Sequence, residues 1–121
     1  MQILRDYMSS PVISVSPDAN IFDAAKLMEE KKVGCLLVED GDGYSGMITR
    51  SDIINRVLAK SKDPASVKVD EACTRPMLTM DYLLTVQETR DKLLRKRIKR
   101  LAVTERGKVV GVFSIKDLIR T

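Results

Sequence analysis

Gly46-Met47-Ile48-Thr49-Arg50-Ser51-Asp52 sets a glycine and two apolar residues ahead of a hydroxyl, with an acid three residues after that hydroxyl. Met47 and Ile48 suit a strand. Thr49 or Ser51 can cap a following helix, and Ile53, Ile54 and Val57 give that helix an apolar stripe. A hydroxyl and a carboxylate at a strand-to-helix junction, beside unpaired helix N-terminal amides, suit a phosphate and a sugar diol. The plain alternative is a helix cap and nothing more. The chain then does it again. Gly111-Val112-Phe113-Ser114-Ile115-Lys116-Asp117 repeats the pattern 65 residues later.

Working outward from the two junctions, the offset of 65 persists without a gap. Pro11 meets Pro76, Lys31 meets Lys96, Leu36 meets Leu101, Val38 meets Val103, and Ile54 meets Ile119; Ile21 pairs in class with Val86, Met28 with Leu93, Val33 with Ile98. Within one copy, Val12 to Val15 is a short β-branched strand, and Ser16-Pro17-Asp18-Ala19-Asn20 is a turn that offers Asn20 as an N-cap. Ile21, Ala24, Ala25 and Met28 then fall at helical spacing, and Gly34 is expected to end that helix. Cys35 to Val38 reads as a buried strand, Glu39 to Gly43 as a hairpin turn, Tyr44 to Ile48 as the returning strand, and the helix after Asp52 as running to about Lys60. Gly41-Asp42-Gly43 has part of a calcium loop, without the spacing that would sustain one. Gln2 to Met8 reads as a short helical lead-in packing Ile3, Leu4 and Tyr7, and Ser9-Ser10-Pro11 as a turn. The duplicated unit is strand–helix–strand–strand–helix, an α/β (α+β) pattern. The expected division is a first repeat at 1–60, then a linker and second repeat at 61–121. Each repeat alone is small for a core, so the two should pack face to face with pseudo-two-fold symmetry.

Composition narrows the function. With no His among 121 residues and only two cysteines, His-based acid–base chemistry, Ser-His or Cys-His nucleophiles and His-ligated zinc have no residues to use. Cys35 reads as a core filler, and a Cys35–Cys73 disulfide is the minor alternative. The longest apolar run, Cys35 to Val38, is far too short to span a bilayer, and the charged N-terminus lacks a signal-peptide core, which points to the cytoplasm and no membrane partner. Charge is uneven: nine basic residues between Arg90 and Lys108 face only Asp91 and Glu105, so that segment is +7 within a chain of +4. A solvated helix end, a phosphate site and a nucleic-acid surface are the three explanations of that segment.

Ser10-Pro11-Val12-Ile13-Ser14-Val15-Ser16-Pro17-Asp18, the Ala24-Ala25-x-x-Met28 helix, Val33 to Val38, and Gly-x-x-Thr/Ser-x-x-Asp in both copies together resemble the cystathionine-β-synthase (CBS) domain pair, or Bateman module, over essentially the whole chain. That resemblance implies adenine nucleosides or nucleotides bound in clefts between the repeats, with the acid on the ribose hydroxyls and the Thr or Ser on phosphate. Residue by residue it implies Thr49 with Asp52 and Ser114 with Asp117. Ala19, Ala24, Gly34 and Cys35 would line the Asp117 cleft, and Leu84, Thr89 and Lys99 the Asp52 cleft. The resemblance further implies that a basic residue at the Arg100 position contacts phosphate in the cleft of its own repeat's acid. The copies differ here, since Lys99-Arg100 replaces Gly34-Cys35 and Thr89-Arg90 replaces Ala24-Ala25. The cations either narrow one cleft or bind phosphate in it, which favours Asp117 as the anion site. The implied role is a non-catalytic sensor of AMP, ADP or ATP that needs no cofactor, forms a homodimer and acts on an unidentified regulated protein. The alternative is a nucleic-acid or protein interaction module built on residues 90–108.

Overall fold

In the computed structural model the chain forms two compact units, one from Ile13–Met77 and the other from Met1–Val12 with Leu78–Thr121. The structure describes residues 2–9, 12–41 and 43–120, with backbone alone for 118–120. Ser10 and Pro11 of the expected first turn, Asp42 of the expected hairpin turn, and the side chain of Ile119 lie outside the described residues.

The Ile13–Met77 unit holds a three-stranded sheet in which β1 (Ser14–Val15) runs parallel to β2 (Cys35–Asp40), and β2 antiparallel to β3 (Gly43–Thr49). Between β1 and β2 lies α1 (Ile21–Lys31), whose buried Ile21, Ala24 and Met28 follow the helical spacing in the sequence. Asn20 caps it as expected, accepting from the Asp23 amide at 2.8 Å. The helix does not stop at Gly34. Lys32 takes the left-handed conformation (φ 56) and donates its amide to the Met28 and Glu29 carbonyls, so a lysine does the work usually left to glycine. After β3 the chain is helical without a break from Arg50 to Leu58, α2 (Arg50–Ile53) passing directly into a π-helical segment at Ile54–Leu58 that ends close to the expected Lys60, and α3 (Val69–Ala72) follows. Ile21, Met28, Leu36, Val38, Ile48, Val57 and Val69 close the core.

The second unit has the same plan. Here β4 (Thr79–Asp81) pairs parallel with β5 (Arg100–Glu105), β5 pairs antiparallel with β6 (Lys108–Ser114), and α4 (Val86–Lys96) connects β4 to β5. Arg97 repeats the left-handed stop of Lys32 at the same φ of 56. A 3₁₀ turn at Ile115–Arg120 follows β6, and another at Leu4–Asp6 replaces the expected helical lead-in. Leu4, Val86, Leu93, Leu101, Val103 and Phe113 form its core.

Each unit contains a strap that precedes the other repeat in sequence. Residues 2–9 lie along the unit of β4–β6, and residues 67–74 make the matching contacts in the unit of β1–β3. Val86 N–H donates to the Gln2 carbonyl at 2.9 Å, and Ile21 N–H to the Val67 carbonyl at 2.9 Å. Leu4 N–H reaches the Leu84 carbonyl at 3.0 Å, and Val69 N–H the Ala19 carbonyl at 2.8 Å. Further on, Ser9 forms an antiparallel bridge with Val112, and Thr74 forms one with Met47. Gly46 and Gly111 make room for these straps. A Cβ on Gly46 would stand 2.6 Å from the Thr74 carbonyl oxygen, and one on Gly111 would meet Met8 Sδ at 2.6 Å and the Ser9 carbonyl oxygen at 2.9 Å. That close approach is the physical reason for glycine at the head of the repeated motif.

Candidate functional site: two strand-to-helix junctions

Thr49 ends β3 and caps α2 in a reciprocal capping box. Its hydroxyl accepts from the Asp52 amide at 3.2 Å, while the Asp52 carboxylate accepts from the Thr49 amide at 3.0 Å. The cap is therefore Thr49, not Ser51. Asp52 is only 7% exposed, yet its charge is well compensated. The Thr74 hydroxyl donates to both carboxylate oxygens, at 3.1 and 3.2 Å, and Arg56 Nε lies 3.6 Å from Oδ1. Arg56 also donates from Nη1 to the Cys73 carbonyl at 3.0 Å. Burial pushes the Cys73 thiol above its ordinary value, and the nearby Asp52 carboxylate adds to that rise. No disulfide joins Cys35 to Cys73; Cys73 is buried, and Cys35 is half-buried at the start of β2.

At the second junction Asp117 is 8% exposed and accepts from the Ser114 amide at 2.9 Å, as Asp52 does from Thr49. The Ser114 hydroxyl accepts from the Lys116 amide at 3.3 Å. Arg100 stands directly opposite Ser114 across β5 and β6, and the Ile115 amide donates to the Lys99 carbonyl at 2.9 Å. Directly opposed residues in an antiparallel pair present side chains on one face with Cβ atoms about 5 Å apart. Half-buried Arg100 thus shares a sheet face with Ser114, while Lys99, exposed, meets the junction through its backbone carbonyl. The first junction has the same backbone relations. Cys35 stands opposite Thr49, and the Arg50 amide donates to the Gly34 carbonyl at 3.2 Å.

Within its own unit, Thr49 lies beside Gly34 and Cys35, which the resemblance assigns to the Asp117 cleft, and Ser114 lies beside Arg100, which it assigns to that same cleft, and Lys99, which it assigns to the Asp52 cleft. Ala19 and Leu84 precede α1 and α4, and their carbonyls accept from the straps. Ala24 and Thr89 are fully enclosed in helices, and the Thr89 hydroxyl donates to the Thr85 carbonyl at 3.0 Å. Two functional-site neighbours escaped the sequence reading, Thr74 and Arg56. The first had a signal, since Thr74 lies 65 residues after Ser9 and keeps its hydroxyl. Among the described residues no three His, Cys, Asp or Glu side chains gather as a metal site, and no helix is long and apolar enough to cross a membrane.

The family model for the CBS domain matches residues 4–59 and again 67–121. The chain belongs to the CBS-domain family. Both CBS repeats carry the same junction, and each match includes the strap preceding its repeat. An uncharacterized protein of Methanocaldococcus jannaschii is 32% identical over 93% of this chain, which spans 62% of that relative's length. A crystal structure of an uncharacterized conserved protein from Pyrococcus horikoshii superposes with a TM-score of 0.91 at 32% identity, covering 98% of this chain and 90% of that one. The hexameric CBS-CP12 protein of bloom-forming cyanobacteria superposes with a TM-score of 0.90 at 29% identity, over 98% of this chain and 70% of that one. The fold is the mixed α+β architecture of tandem CBS repeats, with two three-stranded sheets.

Proposed function

We propose that this CBS-repeat chain is a non-catalytic regulatory module that binds an adenosine nucleotide of the AMP, ADP or ATP type at the Ser114–Asp117 junction. One observation carries the assignment. Arg100 stands opposite Ser114, three residues before Asp117, so a cation, a hydroxyl and an acid share one junction. Phosphate would take Arg100, Lys99 and Ser114, because cations and hydroxyls supply the donors that phosphate oxygens accept. The ribose hydroxyls would donate to Asp117. A bound nucleotide alters a partner only if it prefers one state of the module, so regulation requires a difference in affinity between states. Self-association is part of this reading, and the hexameric relative supports it.

A thermal-shift panel with AMP, ADP, ATP, S-adenosylmethionine, NAD and GTP tests the assignment on the parent chain and on Asp117→Ala. Ligand at about 100 times its dissociation constant adds about 2.7 kcal/mol, which is several degrees for a domain of this size. An adenosine-specific shift that disappears in Asp117→Ala is the expected result. The absence of a shift with every nucleotide sinks the reading. Exposed Arg95, Lys96 and Arg97 at the end of α4 then make RNA and DNA the next ligands, with strongly salt-dependent binding as the signature.

A further inference from the structure

The carboxylate of Asp52 is engaged from three directions within its own unit. Thr49 N–H, the Thr74 hydroxyl and Arg56 Nε all approach it, and 7% of the residue is exposed. A carboxylate offers about four lone-pair positions, and these partners take most of them. Thr74 sits on the strap that β3 holds through paired backbone bonds, Thr74 N–H to Met47 O at 2.8 Å and Met47 N–H to Thr74 O at 3.1 Å. Arg56 grips the same strap at the Cys73 carbonyl. A ribose diol at Asp52 would have to displace the Thr74 hydroxyl and loosen the strap.

We propose that Asp52 serves the fold and not a ligand. With Thr74 and Arg56 it clamps residues 73–74 onto the end of β3, and each chain takes one nucleotide, at Asp117. The stoichiometric half of this rests on the nucleotide reading above, whereas the clamp stands without it. Asp52 is then a positioning residue, and the two copies of one motif have separate duties. The carboxylate that a duplicated site would spend on a second ribose is spent on the strap.

Two measurements on the intact chain decide it. Titration calorimetry with AMP and with ATP should give one equivalent per chain, and Thr74→Val should keep that equivalent with less than a tenfold change in affinity. Melting without nucleotide supplies the second readout. Asp52→Asn and Thr74→Val should each lower Tm by several degrees, Thr74→Ser should not, and the double variant should fall no further than the worse single one. Two equivalents per chain, or additive losses in the double variant, overturn the proposal. If the parent chain binds neither AMP nor ATP, the nucleotide reading fails by itself, and the melting cycle still accepts or rejects the clamp.

Discussion

The two strand-to-helix junctions share a backbone and differ in charge. At both, the residue after the hairpin's second strand donates its amide to the residue just ahead of the first strand: Arg50 to Gly34, Ile115 to Lys99. At both, an acid accepts from the amide of a hydroxyl residue three positions earlier. Around that shared frame the first junction has neutral Gly34 and Cys35 with Arg56 on its acid, and the second has Lys99 and Arg100 opposite and beside its serine. Duplication fixes geometry, because the hydrogen bonds are those of the main chain. Side chains then specialise each copy, since they change charge without moving the frame.

The largest effect should come from the straps that both copies share. Leu4 and Val69 hold equivalent positions and both are 0% exposed. Leu4→Ala leaves a cavity among Val86, Leu101 and Phe113, and should cost about 2–5 kcal/mol in urea unfolding. Val69→Ala removes less volume and should cost less. A Leu4→Ala chain as stable as its parent would mean that residues 2–9 are an appendage to the second core.

Next come the glycines. Gly46→Ala drives a Cβ to 2.6 Å from a backbone oxygen, whereas the 2.6 Å contact at Gly111 is with the flexible Met8 side chain. Overpacking of this kind costs roughly 1–3 kcal/mol, and Gly46→Ala should lie at the upper end. Gly111→Ala should be milder, because Met8 can turn away and leave only the 2.9 Å approach to the Ser9 carbonyl. Equal losses in thermal melts would show that the two straps are gripped alike, and would remove one contrast between the copies.

Local signals in the sequence reach some of this and not the rest. The strands at Leu36–Val38 and Leu101–Val103 are legible because continuous apolar runs bounded by turn residues leave few other choices. Asn20 is legible as a cap because its side chain bonds only three residues away, and Thr49 was one of two candidates for the same reason. The left-handed stops at Lys32 and Arg97 are not, since a lysine or arginine in that region opposes its own preference by about 1–2 kcal/mol and only the turn into the next strand enforces it. The straps are further out of reach. Leu4 meets Leu84 and Thr74 meets Met47 through backbone bonds at isolated bridges, and Thr74 meets Asp52 through its hydroxyl, contacts between distant segments that leave no period in either. In the same way Arg56 reads as a surface residue of a helix until the strap is laid beside it.

Charge exchange gives the third effect. Replacing Lys99 by Gly and Arg100 by Cys gives the second junction the first one's side chains on its own backbone. ATP affinity should fall about tenfold or more, close to 1.4 kcal/mol, while adenosine, which has no phosphate, should bind nearly as before. Equal losses for ATP and adenosine would mean that the cations shape the junction and do not contact phosphate.

The smallest effect separates Cys73 from Met8, its counterpart 65 residues earlier. Burial, with help from Asp52, holds the Cys73 thiol above its ordinary value of 9.0. Above that pH the unfolded chain loses the proton while the folded chain keeps it, so the unfolded state binds fewer protons and stability falls. The contribution is complete below pH 9 and declines as pH rises through the folded value. The readout is a difference between two chains that differ only at this thiol. Cys73→Ala should be less stable than the parent near neutrality, through its lost volume, but should lose less on going from pH 8 to pH 10. Met8 cannot ionise, so its strap contributes nothing to that slope. Parallel pH profiles for the parent and Cys73→Ala would mean that the thiol titrates alike folded and unfolded, and that the strap gripped by Asp52 is open enough to hydrate it.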